Sequence, residues 1–456
     1  MLARTAVFVS IAAAVLACGA LLGLDEDDAP PPPPAVEAAT DVIDSAAEGA
    51  SGETARYNDI ADRTRWESLP LAAISDDFVP RGGAFDGRYL YLTPHRTTTG
   101  GIYGGRIWRF DSARPLAEAA AWSSFDVTQT ENDAGNMRGV AFDGRYLFFM
   151  AIAGKWSRID TTGAFDVSSL TVTDPTKWSN DAYGFAGAVF DGRWVYGVPG
   201  LSANPDGGIA ISSNLFARYD TTRDLASQTS WEFYTSPTRA TRHGGAFDGR
   251  YVYFVDRFLG SLARYDTTKP FAADGSWEST VIPAPSDSGW NGAVFDGRYI
   301  HLVPAFIGDG ADAGTPNALT SMIRYDTQRP FDASSFDTFD VAPLIGGAFG
   351  FAGGTFDGRY VWFAPHARTS QGANTTIGPL TTHGHVVRYD TTAPHGAMSS
   401  WSTFDTTTLP NAPAGFVGAI FDGQHVYFIP RRQPVLARFD ARTPSALPPG
   451  SHASFW

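Results

Sequence analysis

Residues 244–266 read GGAFDGRYVYFVDRFLGSLARYD, and the fold follows from how this stretch is parsed. Gly244 to Phe247 forms a short strand, and Asp248-Gly249 is a two-residue hairpin turn whose chemistry suits type I′. Arg250 to Val255 is an alternating, aromatic second strand, and Leu262 to Asp266 a third. Downstream, Thr267 to Gly275 holds Pro270 and turns the chain, and Trp277 opens a fourth strand.

The same phrase recurs. Phe-Asp-Gly followed by Arg or Gln begins at Phe85, Phe142, Phe190, Phe247, Phe295, Phe356 and Phe421. Arg, an aromatic residue or Ile, and Asp end at Asp111, Asp160, Asp220, Asp266, Asp326, Asp390 and Asp440. The two phrases alternate without exception. Four-stranded units repeated at this length are blades around an axis, so the expected fold class is all-β, a seven-bladed β-propeller of four-stranded antiparallel blades. The strand at Trp66 has the Trp of a fourth strand with no first three before it, and the last unit has three strands and then nearly runs out. The N-terminal strand is therefore expected to close the seventh blade as its outermost strand, which hides two edges that invite aggregation.

Over residues 65–456 the order of an Asp-Gly turn, a YVYF strand and a YD–T…W strand pair resembles quinoprotein-type blades, and more loosely kelch repeats. The Gly-Gly that follows the second strand of kelch repeats is absent, as are the Gly-His and Trp-Asp pairs of WD repeats. The resemblance implies a propeller and carries over no functional residue.

Composition bounds the rest. The chain has 456 residues, 43% hydrophobic and 13% aromatic, with 48 Gly and 30 Pro, which suits many short strands and turns. A formal charge of −14 excludes a nucleic-acid partner, since phosphate binding needs a basic stripe. At the N-terminus, Arg4 precedes an apolar run from Ala6 to Ala17 that ends on Cys18, the only cysteine. Ala14-Val15-Leu16-Ala17-Cys18 resembles a bacterial lipobox, so residues 1–17 are expected to be a lipoprotein-type signal peptide and Cys18 the lipidated residue. Residues 18–60 are acidic and proline-rich and read as a disordered tether of roughly 40 Å reach. Residues 61–456 form the propeller. The expectation is a monomer in the bacterial cell envelope, lipid-anchored at the outer membrane or cell surface and touching the membrane through its lipid alone.

The repeated residues read as framework. Asp-Gly makes the turn, the Arg opening each second strand is placed to pair with the Asp closing the third, and Gln424 replaces that Arg in the last blade. The Gly three residues before each Phe (Gly82, Gly139, Gly187, Gly244, Gly292, Gly353, Gly418) lets crowded inner strands approach at the axis. Variation concentrates in the loops between second and third strands (B–C), which are long in blades 1, 3, 5 and 6. These loops and the D–A crossovers share one face, opposite the Asp-Gly turns, and loops on a rigid scaffold carry function.

Two constellations lie there. At the entry to each first strand stand Pro80-Arg81, Met137-Arg138, Phe185-Ala186, Arg242-His243, Trp290-Asn291, Phe351-Ala352 and Phe416-Val417. An aromatic crescent of Phe185, Trp290, Phe351 and Phe416 facing Arg81, Arg138, Arg242 and His243, with Asn291 beside them, suits a sugar ring bearing a carboxylate or a peptide carboxylate. The alternative is that the aromatics pack blade against blade. In blade 6, His366, His383 and His385 are spaced to hold zinc with an open position, or to lie idle in a Gly/Thr-rich loop. No other cofactor is implied. The leading expectation is a membrane-anchored extracytoplasmic propeller that binds a glycan or protein partner through the B–C/D–A face. The alternatives are a metal-dependent or acid–base hydrolase or lyase acting on polysaccharide, and a structural envelope component.

Overall fold

A computed structural model describes residues 54–455 apart from 76–79, 95–104, 130–136, 152–153, 203–210, 239, 259, 285–288, 308–316, 319, 348, 369–380, 432 and 449–453. The signal segment, Cys18 and the tether up to residue 53 lie outside the described residues. Within 54–455 the chain forms seven four-stranded antiparallel units, with strands A to D running outward from the axis. In blade 4 these are Arg242–Phe247, Tyr251–Asp256, Ser261–Asp266 and Trp277–Val281. Seven apolar clusters each join two neighbouring blades. The cluster that unites Ile420 and Tyr427 of blade 7 with Leu90 and Phe110 of blade 1 closes the ring.

Closure is made by the N-terminal strand. Trp66–Pro70 lies antiparallel on Val435–Asp440 as strand D of blade 7, with Trp66 opposite Phe439. The Trp66 ring stacks on Phe404 at 4.6 Å and meets Phe439 at 4.8 Å. The folded domain also starts earlier than residue 61. Arg56–Tyr57 pairs with Arg442–Thr443, Ile60 is buried, and the Trp66 indole N–H donates to the Ile60 carbonyl at 2.9 Å. That indole bond recurs six residues back at Trp122–Leu116, Trp231–Leu225, Trp277–Phe271 and Trp401–His395. A short 3-10 turn before each Trp aims the ring inward and fixes where strand D begins.

The Asp-Gly turn differs from type I′. Only its glycine is left-handed, as with Gly249 at φ +100, whereas type I′ needs positive φ at both central residues. The aspartate side chain supplies the reason. In blade 4, Asp248 Oδ1 accepts the backbone N–H groups of Arg250 and Tyr251, at 2.8 and 2.6 Å, and so bends the chain itself. Its Oδ2 accepts the Tyr253 hydroxyl at 2.7 Å. Tyr91, Tyr196 and Tyr427 repeat that bond, and His301 and Trp362 replace it through ring N–H groups. Blade 2 has Phe148 there, and burial without this donor raises the pKa of Asp143.

The Arg–Asp pairs form. Arg250 Nη2 is 2.8 Å from Asp266 Oδ2, an exposed guanidinium reaching a buried carboxylate held down to a pKa of about 2, first by that bond. In blade 7, Gln424 donates to Asp440 Oδ1 at 3.2 Å and Arg65 reaches round to Oδ2 at 2.7 Å. The inner glycines abut from blade to blade. A Cβ on Gly139 would stand 2.8 Å from the Gly187 carbonyl, and one on Gly244 would stand 2.8 Å from Gly292 Cα. The long B–C loops of blades 3, 5 and 6 carry extra pairing, Leu201–Ser202 with Ile211–Ser212, Phe306–Ile307 with Asn317–Ala318, and Ala367–Arg368 with Thr381–Thr382. The loop of blade 1 lies outside the described residues.

Candidate functional site at the channel mouth

Every strand A is irregular at its entry, and there the side chains are sorted. The A–B register slips between Pro80 and Gly82, Met137 and Gly139, Phe185 and Gly187, Arg242 and Gly245, Trp290 and Ala293, Phe351 and Gly354, and Phe416 and Gly418. A bulge re-aims the residue that it leaves unpaired. The residues before the slip point into the core. Phe185, Trp290, Phe351 and Phe416 are fully buried, each in an inter-blade cluster, so the aromatic crescent offers no surface to a ligand. Arg242 shares this position. It stands opposite Asp256 with its guanidinium 4.9 Å from the Phe216 ring, and burial pulls its pKa down to about 10.

The bulged residues, Arg81, Arg138, His243 and Asn291 among them, meet a second column. Ten residues after each Phe stand His95, Ile152, Gly200, Arg257, Ala305, His366 and Arg431. In four of them the backbone N–H returns to the chain just ahead of strand A, with Gly200 on Gly184, Arg257 on Thr241, Ala305 on Gly289 and Arg431 on Gly415. The two columns touch, since a Cβ on Gly200 would stand 2.4 Å from the Ala186 Cβ. This brings Arg257 and Arg431 to the mouth, two residues that sequence reasoning missed although the same column-by-column reading reaches them. His95 and Ile152 lie outside the described residues.

His243 is the focus. It is buried, and burial together with the charges of Arg257, Arg138, Arg81 and Arg431 drives its pKa well below the ordinary range, so it is neutral. Arg257 Nη1 donates to Asn291 Oδ1 at 2.5 Å and lies 3.3 Å from His243 Nδ1, and Asn291 Nδ2 donates to the Phe351 carbonyl at 3.1 Å. Arg431 Nη1 donates to His366 Nε2 at 2.9 Å, while His366 Nδ1 donates to the Phe416 carbonyl at 2.8 Å. Four guanidinium groups from blades 1, 2, 4 and 7 thus share one end of the channel. Blades 3 and 6 present Ala186 and Ala352 at the bulge.

The blade 6 histidines are otherwise engaged. His383 Nε2 lies 2.8 Å from the Gly350 carbonyl and 3.2 Å from the His366 backbone nitrogen, and carrying the proton it donates to the carbonyl. His385 packs against Phe349 at 5.3 Å. Among the described residues no group of three His, Cys, Asp or Glu side chains is arranged to hold a metal ion, and no helix is long and apolar enough to cross a membrane.

No protein-family model matches the chain, and neither does any curated protein sequence. Solved structures do. The chain is similar to the WD40 domain of Pan2 from Neurospora crassa, at 10% identity and a TM-score of 0.54 over 84% of this chain and 97% of that one. It is also similar to YCF48 bound to D1 peptide, at 12% identity and 0.51 over 84% and 98%. A chain of a mitotic checkpoint complex matches at 8% and 0.50 over 86% and 94%. These likenesses establish the fold, a seven-bladed propeller with WD40-type neighbours.

Proposed function

We propose that this protein is a binding propeller that takes an anionic protein segment at its channel mouth, on the face that carries the long B–C loops. The observation behind the reading is the gathering of Arg81, Arg138, Arg257 and Arg431 around His243 in a chain of net charge −14. Like charges brought together at partly buried positions repel one another, and a ligand of the opposite sign relieves that repulsion. Neutral His243, whose Nδ1 faces the Arg257 guanidinium, adds no further charge to the group. Carboxylates suit planar guanidinium donors, and propellers with peptides and protein complexes in their solved structures, such as YCF48 with D1 peptide, support a protein partner.

The test is fluorescence anisotropy with a labelled octaglutamate peptide. Arg81 is buried and Arg138 half-buried, so the variant Arg81→Gln/Arg138→Gln removes charge without burying a carboxylate. Affinity should fall at least tenfold, about 1.4 kcal/mol, with circular dichroism and the melting midpoint unchanged. Unchanged affinity, or a collapse in stability, refutes the reading.

The proposal extends to location. Cys18, the sole cysteine after an apolar N-terminal run, carries the lipid that holds the propeller at the envelope. Cys18→Ser should move the protein to the soluble fraction. Continued membrane association of that variant means that the apolar segment itself is the anchor.

A further inference from the structure

Strand A is the innermost member of its sheet in six blades, and in blade 1 a further strand lies inside it. Ser454–Phe455 pairs antiparallel with strand A of blade 1, Ser454 opposite Ala84 and Phe455 opposite Gly83. The other edge of that strand is taken by Tyr89–Pro94. The added strand therefore runs within the bore, flanked by the inner strands of blades 7 and 2.

Direction matters. Strand A of blade 1 runs from Pro80 at the mouth to Phe85 at the Asp-Gly turn. An antiparallel guest enters from the turn side and advances its C-terminal end toward the mouth. Two residues before Gly83, at that end, is Arg81, a member of the cluster around His243. The backbone pairing at Gly83 and Ala84, and the place of Arg81 two residues further toward the mouth, are separate observations.

We propose that the inner edge of blade 1 is an acceptor site for an extended peptide whose negatively charged C-terminal end is received by the arginine cluster, and that residues 454–455 occupy it in cis. Strand addition gives affinity through the main chain, and specificity comes from what the ends and alternate side chains meet. The charge of the guest rests on the proposed function; the strand-acceptor edge does not. A resident on the same chain acts at an effective concentration on the order of millimolar, so a partner must displace it, and the tail sets the threshold for binding.

Two experiments decide. The first compares the full chain with one ending at Pro448, using a fluorescein-labelled peptide of residues 450–456 with a free or an amidated C-terminus. The shortened chain should bind the free-acid peptide at least tenfold more tightly than the full chain does, and the amidated peptide at least tenfold more weakly than the free acid. Equal binding by the two chains overturns the acceptor site. Equal binding of the two peptides leaves the edge in place and overturns the charge reading. The second uses the full chain and so needs no truncation to fold. In Phe455→Pro, which deletes a backbone donor, hydrogen exchange across residues 80–85 should quicken at least tenfold, and an unchanged rate overturns the cis occupancy.

Discussion

His395 occupies a place that the other blades fill with hydrocarbon. Its carbonyl accepts the indole N–H of Trp401, and the matching residues six before a strand D Trp are Ile60, Leu116, Leu225 and Phe271. The imidazole is buried among Tyr389 at 5.2 Å, Trp401 at 5.3 Å and Phe339 at 6.4 Å, and neither ring nitrogen has a hydrogen-bond partner among the described residues. Burial first, then the charges of Arg324 and His301, lower its pKa from 6.5 to about 3. A histidine with a depressed folded pKa binds its proton more readily when the chain is unfolded. Its share of stability is whole above 6.5 and is lost as pH falls from there toward 3. With these two values the unfolded state gains ~2 kcal/mol on going from pH 7 to pH 5. His395→Leu removes that dependence and also removes two unsatisfied nitrogens from the core. Equilibrium urea denaturation at the two pH values should show the parent losing ~2 kcal/mol more than the variant. Parallel losses in both proteins would refute the argument that this imidazole is buried neutral.

Further expectations follow from the blade framework. Trp66→Ala should cost ~3–5 kcal/mol, the range for a deleted core aromatic, because the indole carries the closing contact between the first and last strands of the ring; a shift in the thermal midpoint no larger than that from deleting residues 25–50 contradicts it. Phe148→Tyr should give Asp143 the hydroxyl that Tyr253 gives Asp248, raising stability at neutral pH by ~1 kcal/mol and lowering the Asp143 pKa, which NMR titration reads directly.

Much of the fold was legible because each blade repeats its turn chemistry, and because a Trp-bearing strand at the N-terminus had no partner nearer than the last blade. The abutting glycines, kept in all seven copies, and the Arg–Asp pairs, kept in six, were legible for the same reason, since such a repeated residue marks a place the geometry constrains. The site was only partly legible. Alternation along strand A assigns Phe185 and Arg81 to opposite sides, but the bulge that decides which side faces the bore leaves no sign in composition. Arg257 and Arg431 lie fourteen residues beyond their bulge partners His243 and Val417, and they meet the mouth only through the A–B pairing. The role of Asp248 Oδ2 was hidden because Tyr, His and Trp all satisfy it, so no single letter recurs. Ser454–Phe455 carries no strand pattern of its own; two residues become a strand only because the bore presents an edge.

The closing strand also sets a timetable for the ring. Trp66–Pro70 leaves the ribosome before its partner Val435–Asp440, with six blades made in between. Until then Trp66–Pro70 has no strand to pair with, because strand C of the seventh blade is its only sheet neighbour among the described residues. Contacts of such long sequence separation form slowly, so the nascent ring stays open and sensitive to proteases until that partner strand is made. Protection should arrive in one step, when residues 435–440 become free to pair.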